Sequence, residues 1–327
     1  MTGSATAVAH ANIALVKYWG KADEELVIPR TSSLSLTLDG LATRTTVTFG
    51  EGSSDSLRLD GVVQSGEPLR RVSRFLDLVR CLAATDLHAR VDSHNDGPTA
   101  AGLASSASGF AALAVAASSA AGLHLDPRAL SRLARRGSGS ACRSIFGGLV
   151  VWHAGHDDES SYAEPLSCPV PLAVLVARVD AGPKPVSSRQ AMRATMTSSP
   201  LYEAWAERSA ADLSEGLAAL RAEDLATAGA LFEANALGMH ATMIAARPAV
   251  IYWQPGTLRV LDAVRAARDE GLPVWATMDA GPNVKVITSS GRAAEAAAWL
   301  TDRLEDVPVS VNHCGPAARL ISEDERG

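Results

Sequence analysis

Residues 97–110 read GPTAAGLASSASGF, and the run continues as AALAVAASSAAGL. Built almost wholly from Gly, Ala and Ser, it limits the fold more than any other stretch. Side chains this small let a helix approach its neighbours closely, and glycines ahead of the helix let backbone N–H groups point outward. Two readings therefore stand: a helix packed tightly in a core, or a cradle in which a Gly-rich turn and a helix N-terminus meet an anion. The stretch is neither a Walker A sequence (no G-K-[ST]) nor a dinucleotide fingerprint (no G-x-G-x-x-G). Hydroxyls of Ser105, Ser106 and Ser108 could donate to phosphate or help hold Mg²⁺.

Around this stretch the pattern alternates between strands and helices. Residues 5–18 predict a strand leading into a polar loop at YWGKADEELVIPR. SSLSLTLDG (32–40) and TRTTVTFG (43–50) alternate with period two, and the Asp-Gly between them predicts a β-hairpin. In EPLRRVSRFLDLVRCLA (67–83), Leu69, Val72, Phe75, Leu76 and Val79 share one helical face. HARVDSHND predicts a strand running into the small-residue stretch. Gly122 stops the helix that follows, and Asp-Pro opens another at DPRALSRLARRG. FGGLVVWHAG and PLAVLVARVDAG read as further strands of a first lobe. From about residue 185 long helices dominate, and the order of VWATMDAG, NVKVITS, RAAEAAAWLTDRLE and VPVSVNHCG predicts an α+β, ferredoxin-like end. At 327 residues the chain suits two lobes, placed at 1–183 and 184–327.

Composition excludes several functions. The chain is 47% hydrophobic and 20% charged with a net charge of −6, which suits a soluble globular protein with a sizeable core and gives no reason to expect a nucleic-acid or membrane partner. Cys81, Cys142, Cys168 and Cys314 form no C-x-x-C, so reduced thiols in a cytoplasmic protein are expected. The N-terminus lacks the pattern of a signal peptide.

Other short segments could carry chemistry. RRGSGSACRS (135–144) is a second Gly/Ser segment, with Arg143 able to grip a carboxylate or a phosphate bidentately. NIALVKYWGK (12–21) sets Asn12, Lys17, Tyr18 and Lys21 close to a strand end, and KPVSSR (184–189) adds a cation–hydroxyl cluster. In TMDAGPNVKV, Asp279 sits at a strand–turn junction, where it either caps the turn or activates a hydroxyl for phosphoryl transfer.

In the order NIALVKYWGK, SSLSLTL, PTAAGLASSASGFAALA, GSGSACRSIFGG, KPVSSR, MDAGPN, these blocks resemble the diphosphomevalonate decarboxylases of the GHMP small-molecule kinase superfamily. The likeness runs from the first strand to about residue 285. It implies an α+β, two-lobe GHMP kinase fold, with an N-terminal lobe like the second domain of ribosomal protein S5 and a ferredoxin-like C-terminal lobe. It further implies ATP and Mg²⁺, a small-molecule substrate (5-diphosphomevalonate) and a homodimer. By the family pattern, Asp279 orients or deprotonates the substrate's 3-hydroxyl, and Arg143 and Asn12 hold its carboxylate. Tyr18, Lys17, Lys21, Ser138, Gly139, Ser140, Ser188, Arg189 and Met192 surround the rest of the substrate. Pro98, Ala101, Gly102, Leu103, Ala104, Ser105 and Ser106 wrap the nucleotide phosphates, with Ser106 nearest the metal. Three features depart from the pattern: Arg30, which faces either the cleft or the surface, the Asp96-Gly97 pair, and the single Gly-Pro in NHCGPAARL. A kinase that stops at the phosphate ester, a decarboxylase of a related 3-hydroxy acid, and a non-catalytic sensor stay open as alternatives.

Overall fold

The structure is a computed structural model that describes residues 3–50, 52–96, 105–182 and 185–322. Its first sheet is organised by two long strands, β1 (Ser4–Val16) and β4 (Ser33–Gly50), which pair antiparallel along their whole length. A small ribbon of β2 (Lys21–Asp23) and β3 (Ile28–Pro29) lies between them in sequence. Further strands are β5 (Ser56–Leu59), β6 (Val62–Gln64), β7 (His88–Asp96), β8 (Leu149–Trp152) and β9 (Ala163–Leu166). The main order is β14-β1-β4-β7-β5-β6, where β14 (Arg319–Ile321) is the chain's last strand, and β8 and β9 extend from the first half of β4.

Helices cover one face of this sheet. In α1 (Gly66–Ala83), Val72, Phe75, Leu76 and Val79 are buried at helical spacing, so a single apolar stripe fixes its orientation. α2 (Ser105–Ala120) is built mostly of Ala and Ser and lies against β1 and β4 with Ala107, Ala111, Ala112, Ala114, Ala116 and Ala117 fully buried. Gly122, at φ +75°, ends this segment in the left-handed region open to glycine. α3 (Pro127–Gly137) begins with Pro127 behind Asp126, whose side chain accepts the Ala129 N–H. A 3₁₀ turn, Gly139–Ile145, follows at once.

The second sheet has the order β11-β12-β10-β13, all antiparallel: β10 (Leu172–Ala177), β11 (Trp275–Met278), β12 (Val284–Ser289) and β13 (Val309–His313). Helices α7 (Pro255–Asp269) and α8 (Ala293–Arg303) share a core cluster with this sheet. Helices α5 (Tyr202–Arg221) and α6 (Leu225–Ile244) lie against another core, while α4 (Ser188–Ser198) leads into them. No helix among the described residues is long and apolar enough to cross a membrane.

Two expectations are corrected here. The runs 32–40 and 43–50 form one strand rather than a hairpin. His10 pairs with Ala42 and Asn12 with Thr37, so residues 38–41 bulge out opposite Ala11. Gly40 lacks the positive φ that a two-residue hairpin turn requires. The bulge is held instead by the chain's end, where Leu38 bridges Cys314 and Asp39 accepts the His313 N–H. PLAVLVARVDAG, expected in the first lobe, forms β10 inside the second sheet, because its neighbours β12 and β13 arrive only later in the chain.

Candidate active site

β1 ends where the two sheets approach, and its last residues reach both. The Ala14 carbonyl accepts the Lys17 ammonium at 2.7 Å and the Thr277 hydroxyl at 3.3 Å. At this end of β1, Asn12, Lys17, Tyr18, Lys21, Ser106, Ser138, Gly139, Ser140, Arg143, Ser188, Arg189, Met192 and Asp279 line one cavity of about 320 Å³. Residues from the first strand, both serine segments, α4 and the end of β11 are thereby brought together. Pro98, Ala101, Gly102, Leu103 and Ala104 lie outside the described residues, as do Gly97, Lys184 and the side chains of Asp96 and Ser105. Arg30 pairs with Glu203 at 3.0 Å, with both side chains about half exposed or more, and it does not line the cavity.

At one wall the 3₁₀ turn sets Arg143 beneath the serines. Its Nη1 donates to Ser33 Oγ at 2.6 Å, and its Nε and Nη2 donate to Asn12 Oδ1 at 3.2 and 3.1 Å. Asn12 in turn donates to Ser144 Oγ and the Ser140 carbonyl, so its amide orientation is set. Arg143 is 2% exposed, and burial lowers its pKa. All its described hydrogen-bond partners are neutral, so its positive charge is left for something else. Gly139 permits the tight turn, since a Cβ there would lie 2.8 Å from the Tyr18 ring.

Opposite, Asp279 stands two residues beyond Thr277 and its carboxylate meets two ammonium groups. Lys17 Nζ lies 3.1 Å from Oδ1 and Lys285 Nζ 3.1 Å from Oδ2. Burial alone would raise the carboxyl pKa, but Lys17 and Lys285 outweigh it and hold the group far below the usual carboxylate range. Lys17 is lowered to about 8, chiefly by burial, against the pull of Asp279. The Asp279 backbone is pinned by His240, whose Nδ1 accepts from Trp253 at 2.9 Å, leaving Nε2 to donate to the Asp279 carbonyl at 3.1 Å. Burial, then the nearby Lys17, push His240 down to about 3, so this imidazole stays neutral in one tautomer.

At the mouth, the carbonyl of Gly137 accepts from both Arg71 Nη2 (2.9 Å) and Arg189 Nη2 (3.3 Å). Burial and the Arg189 charge lower Arg71 to about 10, and its buried Nε has no partner. Two adjacent guanidinium groups on one neutral oxygen form a site short of an anion. Lys21 is paired with Glu24 at 2.7 Å. Ser106 Oγ and Ser138 Oγ stand 3.3 Å apart, closing the space between the start of α2 and the 3₁₀ turn. Next to it lies an apolar cleft of about 210 Å³ walled by Leu57, Leu59, Val72, Val91, Phe110 and Leu113.

Sequence reasoning did not single out Arg71, His240 or Lys285. Arg71 is hidden among the other arginines of α1. Lys285 carried a usable signal: it is the one charge in VKVITS, a strand whose residues are buried on both faces, where a lysine needs a partner.

The cavity thus combines one ionised carboxylate, the buried cations Lys17 and Arg143 and two serine segments, with Lys285 behind the carboxylate, an arrangement suited to binding a polyanion and placing a hydroxyl beside it. Residues 9–163 match the diphosphomevalonate decarboxylase-like N-terminal domain, and residues 174–314 match the mevalonate 5-diphosphate decarboxylase C-terminal domain. The diphosphomevalonate decarboxylase of Homo sapiens is 38% identical over 322 residues, spanning 90% of this chain and 79% of that protein. A solved structure of MDDEF in complex with MVAPP, AMPPCP and magnesium is 46% identical, with a TM-score of 0.94 over 98% of this chain and 100% of that one. A structure of the mevalonate diphosphate decarboxylase from Enterococcus faecalis, concerned with mevalonate diphosphate mediated ATP binding, is 45% identical, with a TM-score of 0.93 over 98% of this chain and 100% of that one.

Proposed function

We infer this chain's reaction from its family: it belongs to the diphosphomevalonate decarboxylases. It is an ATP-dependent decarboxylase that converts (R)-5-diphosphomevalonate to isopentenyl diphosphate, with ADP, phosphate and CO₂ as the other products. The observation that carries this reading is the doubly paired Asp279 facing a cavity whose other wall holds Arg143 and Asn12.

A tertiary hydroxyl is a poor nucleophile, and hydroxide is a poor leaving group. Transfer of the γ-phosphoryl group to the 3-oxygen, with loss of the hydroxyl proton to solvent and departure of ADP, changes the second problem. The C–O bond then breaks with phosphate as leaving group, positive charge grows at C3, and the C–C bond to the carboxylate supplies electrons to form the double bond as CO₂ leaves. Asp279 accepts a hydrogen bond from the 3-hydroxyl and aims it at the γ-phosphorus, since phosphoryl transfer depends chiefly on positioning and charge neutralisation. Arg143, fixed by Asn12 and Ser33, orients the carboxylate. Tyr18, Lys21, Ser138, Gly139, Ser140, Ser188, Arg189 and Met192 bound the diphosphate end. Lys17 serves Asp279 rather than the diphosphate, as its ammonium already lies against that carboxylate.

The nucleotide phosphates fit the small-residue segment at the start of α2, and the apolar cleft beside it suits the adenine ring. Among the described residues no cluster of His, Cys, Asp or Glu is arranged to hold a metal by itself, and both oxygens of Asp279 carry a lysine. Mg²⁺ therefore fits best on the nucleotide phosphates with Ser106 beside it, neutralising charge there when bound. The free thiols suit a cytoplasmic enzyme, and family resemblance supports a homodimer.

Incubation with ATP, Mg²⁺ and either mevalonate, its 5-phosphate or its 5-diphosphate tests the reading. Coupled release of ADP and CO₂ with the diphosphate alone is expected, whereas ADP without CO₂ demotes the enzyme to a kinase. Asp279→Asn is expected to lower turnover by about 10²–10⁴-fold while nucleotide still binds, and near-normal turnover would remove Asp279 from the mechanism.

A further inference from the structure

We propose that Lys285 is a positioning residue for this reaction: with Lys17, one lysine on each oxygen, it fixes the plane of the Asp279 carboxylate and keeps it an ionised hydrogen-bond acceptor. The proposal rests on Asp279 receiving the substrate hydroxyl, as argued above.

Lys285 lies in β12 directly opposite Thr277 of β11, two residues before Asp279. Its strand neighbours Val284, Val286 and Ile287 are all buried and apolar, and Lys285 itself is 3% exposed. An ammonium in such surroundings is costly to hold unless an anion answers it. That anion is Asp279 Oδ2 at 3.1 Å, while Oδ1 is held by Lys17 at the same distance. A single lysine would neutralise the carboxylate just as well but would leave it free to turn. Two lysines on different elements, one just past β1 and one on β12, one per oxygen, remove that rotation.

The groups facing Asp279 come from every element packed on it. Lys17 extends from the end of β1, Lys285 from β12, Arg143 from the 3₁₀ turn, and His240 of α6 meets the backbone carbonyl. With His240 neutral, the side chains carry three positive charges against one negative. This excess makes Asp279 a weak base, so a carboxylate held this way serves to orient a hydroxyl rather than to store its proton. The uncompensated charge is matched by the anionic groups that the reaction brings in.

Lys285→Met keeps an unbranched side chain one atom shorter and removes its charge. It is expected to lower kcat by about 10–100-fold, the cost of a misplaced reacting group, while the KM values for ATP and 5-diphosphomevalonate stay within about threefold. In the ligand-free protein, ¹³C NMR of the carboxyl carbons is expected to show the Asp279 midpoint raised toward the ordinary carboxylate range on losing one opposite charge. Once Asp279 is Asn, the clamp has nothing left to hold, so Asp279→Asn/Lys285→Met is expected to match Asp279→Asn within about threefold. Lys285→Gln, which retains a donor but no charge, serves as the second variant where Lys285→Met loses its circular-dichroism signal, and Lys285→Arg is expected to restore most of kcat. An unmoved Asp279 midpoint, or losses that multiply in the double variant, would overturn the clamp. A rise in KM for 5-diphosphomevalonate with kcat intact would also overturn it and make Lys285 a substrate contact. Near-normal turnover of Asp279→Asn would sink the catalytic role of Asp279, yet the NMR titration would still decide whether Lys285 governs that carboxylate.

Discussion

Asp279 and Lys17 titrate in opposite surroundings although they touch. The carboxylate is held ionised far below neutral pH by Lys17 and Lys285, so it contributes no acid limb to activity in the ordinary assay range. Lys17, in contrast, is lowered from 10.5 to about 8 by burial, and as pH rises through that value the free protein loses the ammonium that holds Oδ1. The expected profile of kcat/KM therefore has an alkaline limb near pH 8. Lys17→Arg moves that limb out of range, because a guanidinium remains charged. A profile flat to pH 9.5, or a limb that survives Lys17→Arg, would show that Lys17 is not the group lost. Bound polyanions favour the charged ammonium, so the limb in kcat lies higher than the limb in kcat/KM. The sign for stability is the reverse of that for activity. Between about 8 and 10.5 the unfolded chain holds a proton that folded Lys17 has released, so this group's contribution to stability grows with pH.

At the scale of elements, close approach decides how Asp279 is delivered. α6 crosses β11 at Gly229, where a Cβ would fall 2.2 Å from the Trp275 ring, and Trp275 opens the strand that leads to Asp279. Gly229→Ala is thus expected to cost about 1–3 kcal/mol through overpacking, seen as a lower midpoint in thermal unfolding, and to reduce kcat by shifting β11. An unchanged midpoint would mean that the ring simply moves aside. The same scale shows what the sequence could and could not reveal. Helical stripes such as Val72, Phe75, Leu76 and Val79 were legible because burial on one face imposes a period. Asp39-Gly40 was misleading because its local turn chemistry is that of a hairpin, while a partner 274 residues away, at His313 with Cys314 beside it, holds it as a bulge. The serine segments and Asp279 stood out through the order of the blocks they belong to, since an Asp at a strand–turn junction taken alone reads as well as a turn cap. Arg71 was not, since nothing in α1 distinguishes one arginine from the next until Phe110 and Gly137 are packed against it.

Over the whole molecule the charge runs against its own average. The chain carries −6, yet Arg71, Arg74, Arg136, Arg189, Arg193 and Arg247 gather with Lys21 around an outer chamber of about 1000 Å³ that shares Lys21, Arg71 and Arg189 with the reaction cavity. Glu24 and Glu25 are its acidic lining residues. The lobes keep this chamber in register because one core cluster draws Ile13, Leu34 and Leu36 from the first sheet and Val174, Val176 and Ile287 from the second. A positive mouth on a negative molecule steers anions: it raises the encounter rate of polyanionic substrates. Because such steering is screened over about 10 Å at 0.1 M salt, kcat/KM for 5-diphosphomevalonate is expected to fall several-fold as salt rises toward that concentration, with kcat nearly constant. Arg136→Ala and Arg247→Ala, which remove charges at the rim and leave the paired groups around Asp279 untouched, are expected to flatten that dependence. Equal salt sensitivity in the variants and the parent would place the attraction inside the cavity, on Arg143 and Arg189, and leave the outer arginines no part in capture.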